Sequence, residues 1–212
     1  MFHSLSTAEI AALIIIALLF LGASYGSERI AAGLHEYLDK EGLAGMTLYT
    51  SIVALIVLIP FASTLPLIPV AVELWGSPMT ALLSWLGWMI SATIIILATR
   101  HFGFQFVRRI GLLDRVREFG HALPHKDLRW GALFLGMVGA PIDVVSYAMG
   151  LFTAIPVTAY LSAVALGLIP FALFIAYTAT LPIINQAYIM GFVIIFWGAA
   201  YSHLKSRSQS GG

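Results

Sequence analysis

The 212-residue chain has no cysteine, which excludes a disulfide scaffold, a thiolate metal centre and a cysteine nucleophile. It is also short of charge. Asp, Glu, Lys and Arg together make up 10% of the residues, against about a quarter in soluble domains. In their place 60% of the chain is hydrophobic, and the mean hydropathy is +0.94. A chain this poor in charge cannot cover itself with groups that water solvates. Lipid must be part of its solvent, so a cytosolic enzyme, a nucleic-acid binder and a disordered segment are all poor readings. Catalytic patterns are missing as well: there is no Gly-x-Ser-x-Gly elbow, no P-loop lysine and no dinucleotide glycine motif. His121 and His125 have i,i+4 spacing, but Pro124 lies between them and argues against a helical metal pair. No enzymatic activity, metal or cofactor is expected.

What remains is a pattern of charge-free stretches at 10–27, 42–72, 74–99 and 144–204. A helix of about 20 apolar residues crosses a bilayer, and the last stretch is long enough for two crossings joined by a turn at 180–186. A shorter apolar run at 130–142 is too brief to span. Two places combine proline, glycine and a lone carboxylate: Pro66, Pro69, Glu73, Gly76 and Pro78, and then Pro141, Asp143, Gly150 and Pro156. Prolines at this density free backbone groups that lipid cannot satisfy, so such backbone must face protein or a wet cavity. Both segments read as re-entrant hairpins. The order proline, acid, glycine, proline, spanning helix recurs in the two halves, as in an inverted repeat. The expected fold is an all-α polytopic membrane bundle with two opposed re-entrant hairpins. It divides into 1–42 (a membrane helix and an interfacial helix), 43–182 (the hairpin core) and 183–212 (a last membrane helix and a polar tail).

Crossings at 10–27, 43–61, 79–99, 157–180 and 186–204 alternate so that 28–42, 100–130 and the C-terminal tail share one side. That side then holds all eleven basic residues. By the positive-inside rule it is cytoplasmic, leaving the N-terminus external and the C-terminus inside. In this scheme 28–43 is an interfacial helix with Ile30, Leu34, Tyr37 and Leu38 on its apolar face. The segment 102–130 interleaves apolar residues with arginines and lies on the inner headgroups. No basic region precedes the first apolar run, so a cleaved leader is not expected.

An acid at bilayer depth costs roughly 2.5–3.5 kcal/mol on insertion scales and commonly faces a cavity or partner. Glu73 and Asp143 are the two candidates. Each reads as a proton or ion site where the hairpins meet, or as a cap on amides freed by a broken helix. Arg100, ending a long charge-free run, either snorkels to headgroups or turns inward to a carboxylate or lipid phosphate. Ser146 and Tyr147 beside Asp143 can donate hydrogen bonds to a substrate or to the opposed hairpin.

These residues carry a likeness. The run from Pro141 through Asp143, Ser146, Tyr147 and Gly150, followed by Gly167-Leu168-Ile169-Pro170, resembles the second half of the VTT domain of the DedA-like, SNARE-associated Golgi protein family. Arg100-His101-Phe102-Gly103 resembles its Gly-Arg-x-x-Gly helix end, and Pro66 to Pro69 with Glu73 resembles its first hairpin. Leu135 and Val138 stand where the family often has an arginine and a proline, which makes Arg100 the candidate substitute. The resemblance implies lipid transport of flippase or scramblase type in a membrane such as the bacterial inner membrane. Proton coupling is implied by bacterial members, with membrane lipids as partners, phospholipid or polyprenyl-phosphate headgroups as cargo, and no nucleic acid. Two readings compete with it: a proton-coupled transporter of a small solute, and a non-catalytic membrane scaffold whose acids only cap the hairpins.

Overall fold

Two glycines break the longest helix of the chain. The structure, a computed structural model, describes residues 7–35, 42–59, 63–109, 116, 142–193 and 195. These form α1 (Thr7–His35), α2 (Leu43–Leu58), a 3-10 turn (Leu65–Leu67), α3 (Ile68–Arg109), α4 (Ile142–Phe152), α5 (Val157–Thr178) and α6 (Ile183–Val193). Within α3, Gly76 (φ 76°, ψ 165°) and Gly103 (φ 64°, ψ −154°) take conformations that a β-carbon opposes. They separate a short arm, 68–75, from a long arm, 77–102. At 1.5 Å per residue the long arm measures about 39 Å, enough to cross a hydrocarbon core of about 30 Å. Pro78 falls in its first turn, where a missing amide breaks no helical bond. Gly76→Ala should lower the thermal midpoint in detergent by several degrees, since a side chain in this region costs about 1–3 kcal/mol. An unchanged midpoint would show that the bend is not imposed by position 76.

Helices long and apolar enough to cross a membrane occur at Ile14–Gly33, Leu65–Gln105 and Val157–Thr178. They form an all-α bundle around one apolar core, to which Phe20, Val53, Ile95, Ile96, Met149, Tyr160 and Ile175 contribute. Outward faces carry Leu18, Leu55, Ile94, Leu97, Leu166 and Phe174, as a lipid-facing surface requires. α3 and α5 pack antiparallel. Ser77 lies with Ala179 and Thr180 at one end, Trp88 stacks near Phe171 in the middle, and Arg100 meets Ile155 at the other.

α2 corrects the expected alternation. Tyr49 Oη lies 2.7 Å from Ser84 Oγ, Gly87 abuts Thr50 and Val53, and Ser91 Oγ donates to the Ala54 carbonyl at 2.7 Å. Partners rise together in number, so α2 runs parallel to the long arm of α3, not antiparallel as two successive crossings at 43–61 and 79–99 would. The reason is length: 16 residues reach about 24 Å, short of the hydrocarbon core. The chain then turns back. Thr64 accepts a hydrogen bond from Trp88 Nε1 at 3.1 Å, level with the middle of α2, and the short arm returns to the end where α2 began.

α1 corrects it again. Ser24, Ser27 and Glu28 line a cavity together with Ser77 and Thr180, at the end of the bundle opposite Arg100. Ala17 and Phe20, earlier on the same helix, are buried in the core, so the N-terminal half of α1 points toward the Arg100 end. The common side expected for Arg29 and Arg100 is not what the described residues show. Arg29 and Arg100 stand at opposite ends. Nor does α1 stop before an interfacial helix, for it continues unbroken through Glu28 to His35. Position 150 is corrected too: Gly150 lies inside α4 and not at a bend. A β-carbon there would meet Thr99 Cβ and Cγ2 at 2.9 Å, so this glycine serves close packing of α4 on α3. Pro141, the apolar run 130–141, Leu135, Val138, His121, His125 and most of the basic segment lie outside the described residues.

Candidate functional site

A polar cavity of about 520 Å³ opens at the Ser77 end of the bundle. Three parts of the chain wall it. α1 supplies Ser24, Ser27 and Glu28, the short arm and its bend supply Glu73, Gly76 and Ser77, and the connection from α5 to α6 supplies Thr180 and Gln186. Glu73 reaches this space because Pro66 and Pro69 start the short arm deep in the bundle and Gly76 stops it two turns later. Its carboxylate is exposed to the cavity and lies 3.4 Å from Ser27 Oγ, whose one proton it shares with the nearer Ser24 carbonyl at 2.9 Å. Gln186 is buried. Its Nε2 donates to the carbonyls of Ala179 and Leu181 at 3.1 and 2.8 Å.

Asp143 occupies different surroundings. It sits half-buried in the first turn of α4, where an acid suits the helix dipole, and its charge acts on the phenols of Tyr147 and Tyr160. Ser146, fully buried, donates to the Ile142 carbonyl and shares a 2.7 Å hydrogen bond with Tyr160 Oη. Tyr147 is buried beside it. Asp143 does not line the cavity that holds Glu73, so the two acids do not share one pocket among the described residues.

Arg100 makes a contact that its neighbours in the sequence do not suggest. Its guanidinium donates to the backbone carbonyl of Ile155, in the turn between α4 and α5 that Pro156 closes. A charged donor on a carbonyl is worth about 1.5–3 kcal/mol when well shielded, and less here because Arg100 is exposed. Arg100→Gln should therefore loosen this turn without unfolding the bundle, seen as faster hydrogen exchange at the amides of Thr153 to Ile155. Unchanged exchange would mean that the contact holds nothing.

Sequence reasoning passed over three groups. In the sequence Gln186 reads as part of the turn at 180–186, although with Asn185 it forms the lone amide pair of a long charge-free stretch. Nothing in the sequence marks Tyr160 among the other tyrosines. Most informative, the buried polar residues Ser77, Thr80, Ser84 and Ser91 recur three, four and seven residues apart, a period that places them on one face of α3.

A two-arm break at Gly76, a long arm with Arg100 near its end, and α4 turning into α5 occupy the middle of this chain. The family model of the VTT domain matches residues 59–181, more than half of it. The chain belongs to the VTT domain family. No curated protein and no solved structure matches it. The VTT match contains the short arm with Glu73, the whole of α3, and the Asp143 cluster on α4 and α5. It ends at Leu181, so the VTT segment supplies the short-arm wall and the start of the α5–α6 connection, while α1 and Gln186 complete the cavity from outside. VTT domain proteins are generally non-catalytic membrane transporters, in accord with the missing catalytic motifs.

Proposed function

We propose that this protein moves lipid headgroups between leaflets as a flippase or scramblase, with the Glu73 cavity as one mouth of the route. The observation that carries the reading is the cavity itself. A carboxylate-bearing space opens between α1, the short arm and the α5–α6 connection, inside a bundle whose outer faces are apolar. A headgroup entering there keeps polar company while its acyl chains stay in lipid. In this reading α2 with the short arm forms one re-entrant hairpin, and α4 is the returning arm of a second that enters from the opposite face. The Arg100 end, with Arg108 and Arg109, is cytoplasmic, so the Glu73 mouth faces outward. Proton coupling assigns Glu73 or Asp143 as the group that gains and loses the proton.

The test is movement of labelled phospholipid or polyprenyl phosphate in proteoliposomes, with and without a proton gradient. The wild-type protein should exceed empty vesicles for at least one headgroup. Rates equal to empty vesicles across several headgroups would refute the reading. Solute uptake that collapses with the gradient, in the absence of lipid movement, would favour a small-solute carrier instead.

A further inference from the structure

At the end of the bundle opposite the Glu73 cavity, the chain passes Gly103 and continues as a short helical piece, Phe104 to Arg109, that finishes on two arginines. Arg108 and Arg109 are both exposed, and so is Arg100 one turn before the break. Among the described residues no acidic side chain pairs with Arg108 or Arg109. Two cations side by side with no counter-charge repel each other, an arrangement that a negatively charged partner relieves.

The piece past Gly103 is fastened down and does not dangle. Val107 is fully buried in the core, and the Phe104 ring meets Phe152, at the end of α4, edge-on with 5.6 Å between centroids. One side therefore rests on the bundle, while Gln105, Arg108 and Arg109 face away from it. Depth follows from length. The long arm reaches about 39 Å across a hydrocarbon core of about 30 Å, so with the surplus shared between its ends the Gly103 bend stands at headgroup level. Phe102, Phe104 and Phe152 are exposed in the same place, three rings that suit acyl chains and not bulk water.

We propose that this bend docks anionic phospholipids of the adjoining leaflet on Arg108 and Arg109, as a fixed boundary layer and not as cargo. Cations held beside exposed apolar rings fit an amphiphile with a negative head. Guanidinium forks take phosphate oxygens two at a time, and the phosphate of an anionic lipid carries no ammonium of its own to compete with them. A nucleic acid or an acidic protein would match the arginines and leave the three rings in water. Each arginine near an anionic surface is worth about a fivefold preference. This boundary layer forms whether or not the protein moves lipid.

The full-length protein, reconstituted in nanodiscs of phosphatidylcholine doped equally with phosphatidylglycerol and phosphatidylethanolamine, provides the test. Native mass spectrometry of the released protein counts the lipids that stay with it. Phosphatidylglycerol should be retained over phosphatidylethanolamine by about fivefold or more at low salt, and by less at high salt, where the charges are screened. The double variant Arg108→Gln, Arg109→Gln should bring that ratio close to one. Arg29→Gln serves as the control, because Arg29 is exposed at the opposite end of the bundle, and it should keep the preference. Since the chain has no cysteine, a nitroxide on Gln105→Cys reports depth, and it should read the headgroup layer.

Equal retention of the two doped lipids by the wild type, or a preference that survives in the double variant, overturns the proposal. So does an equal loss in Arg29→Gln, since selection would then follow net charge and not this bend. Glycerol phosphate that strips phosphatidylglycerol from the protein would assign the arginines to a soluble phosphate and refute docking on the leaflet, as would a nitroxide at position 105 in bulk water. Phosphatidylglycerol selectivity without lipid movement would refute the transport reading alone, and lipid movement without that selectivity would refute this inference alone.

Discussion

Glu73→Gln is expected to give a protein that folds like the wild type and has lost at least about nine-tenths of its lipid movement. The two halves of that expectation have separate grounds. Folding should survive because the carboxylate is exposed to the cavity, the amide is nearly isosteric, and the group's described hydrogen bond, from Ser27, is long at 3.4 Å. Transport should not survive, because the substitution removes the negative charge that the short arm delivers into the cavity. A tenfold loss corresponds to about 1.4 kcal/mol, which a single charge in a shielded space readily supplies. A scaffold role predicts the reverse, a shifted thermal midpoint with any transport signal unaltered. Asp143→Asn provides a contrast. That carboxylate lies in the first turn of α4, and removing its charge forfeits about 0.3–1 kcal/mol of helix-dipole stabilisation. A small fall in stability should therefore accompany any effect on transport.

The second large effect is structural, and its sign is diagnostic. Helix propensity alone predicts that Gly87→Ala stabilises a helix by about 1 kcal/mol. The packing predicts the opposite. A β-carbon at position 87 would stand 2.6 Å from Val53 Cγ1, 2.9 Å from Val53 Cβ and 3.0 Å from the Thr50 carbonyl oxygen. Val53 is fully buried and the oxygen belongs to the backbone, so α2 itself must move. On either side of Gly87, the Tyr49–Ser84 contact and the bond from Ser91 to Ala54, each 2.7 Å long, hold α2 against α3. Overpacking costs about 1–3 kcal/mol, and losing these two buried hydrogen bonds adds roughly 1 kcal/mol each. Gly87→Leu should lower the midpoint in detergent by about 10 °C or more or prevent monodisperse purification, with Gly87→Ala in between. A midpoint raised by Gly87→Ala would show that α2 does not pack here.

Much of this architecture is legible in the sequence, for local reasons. Pro66, Pro69, Gly76 and Pro78 act on the backbone whatever surrounds them, so the break before α3 could be read directly, as could the long charge-free run up to Arg100. The same holds for α5 after Pro156. What escaped the sequence is relational. An apolar run of 16 residues looks the same whether it crosses or turns back, and the direction of α2 is decided by Ser84, Gly87 and Ser91 on another helix. In the sequence Glu28 reads as the exit of α1 from the membrane, because a charge ordinarily marks one. Its place in the cavity wall depends on Glu73 and Gln186, which are distant in sequence. Gly150 illustrates the limit from the other direction. It is a turn residue by habit, yet here it is a flat spot in a helix, and only the proximity of Thr99 reveals that.

The central claim, that α2 turns back and two broken segments approach from opposite ends, is open to a direct measurement because the chain has no cysteine of its own. Single replacements Leu43→Cys, Thr180→Cys and His101→Cys, all at exposed positions, can be labelled with a membrane-impermeant maleimide in right-side-out and inverted vesicles. The account predicts that positions 43 and 180 react from one face and position 101 from the other. Labelling of position 43 from the same face as position 101 would make α2 a full crossing, and would contradict it.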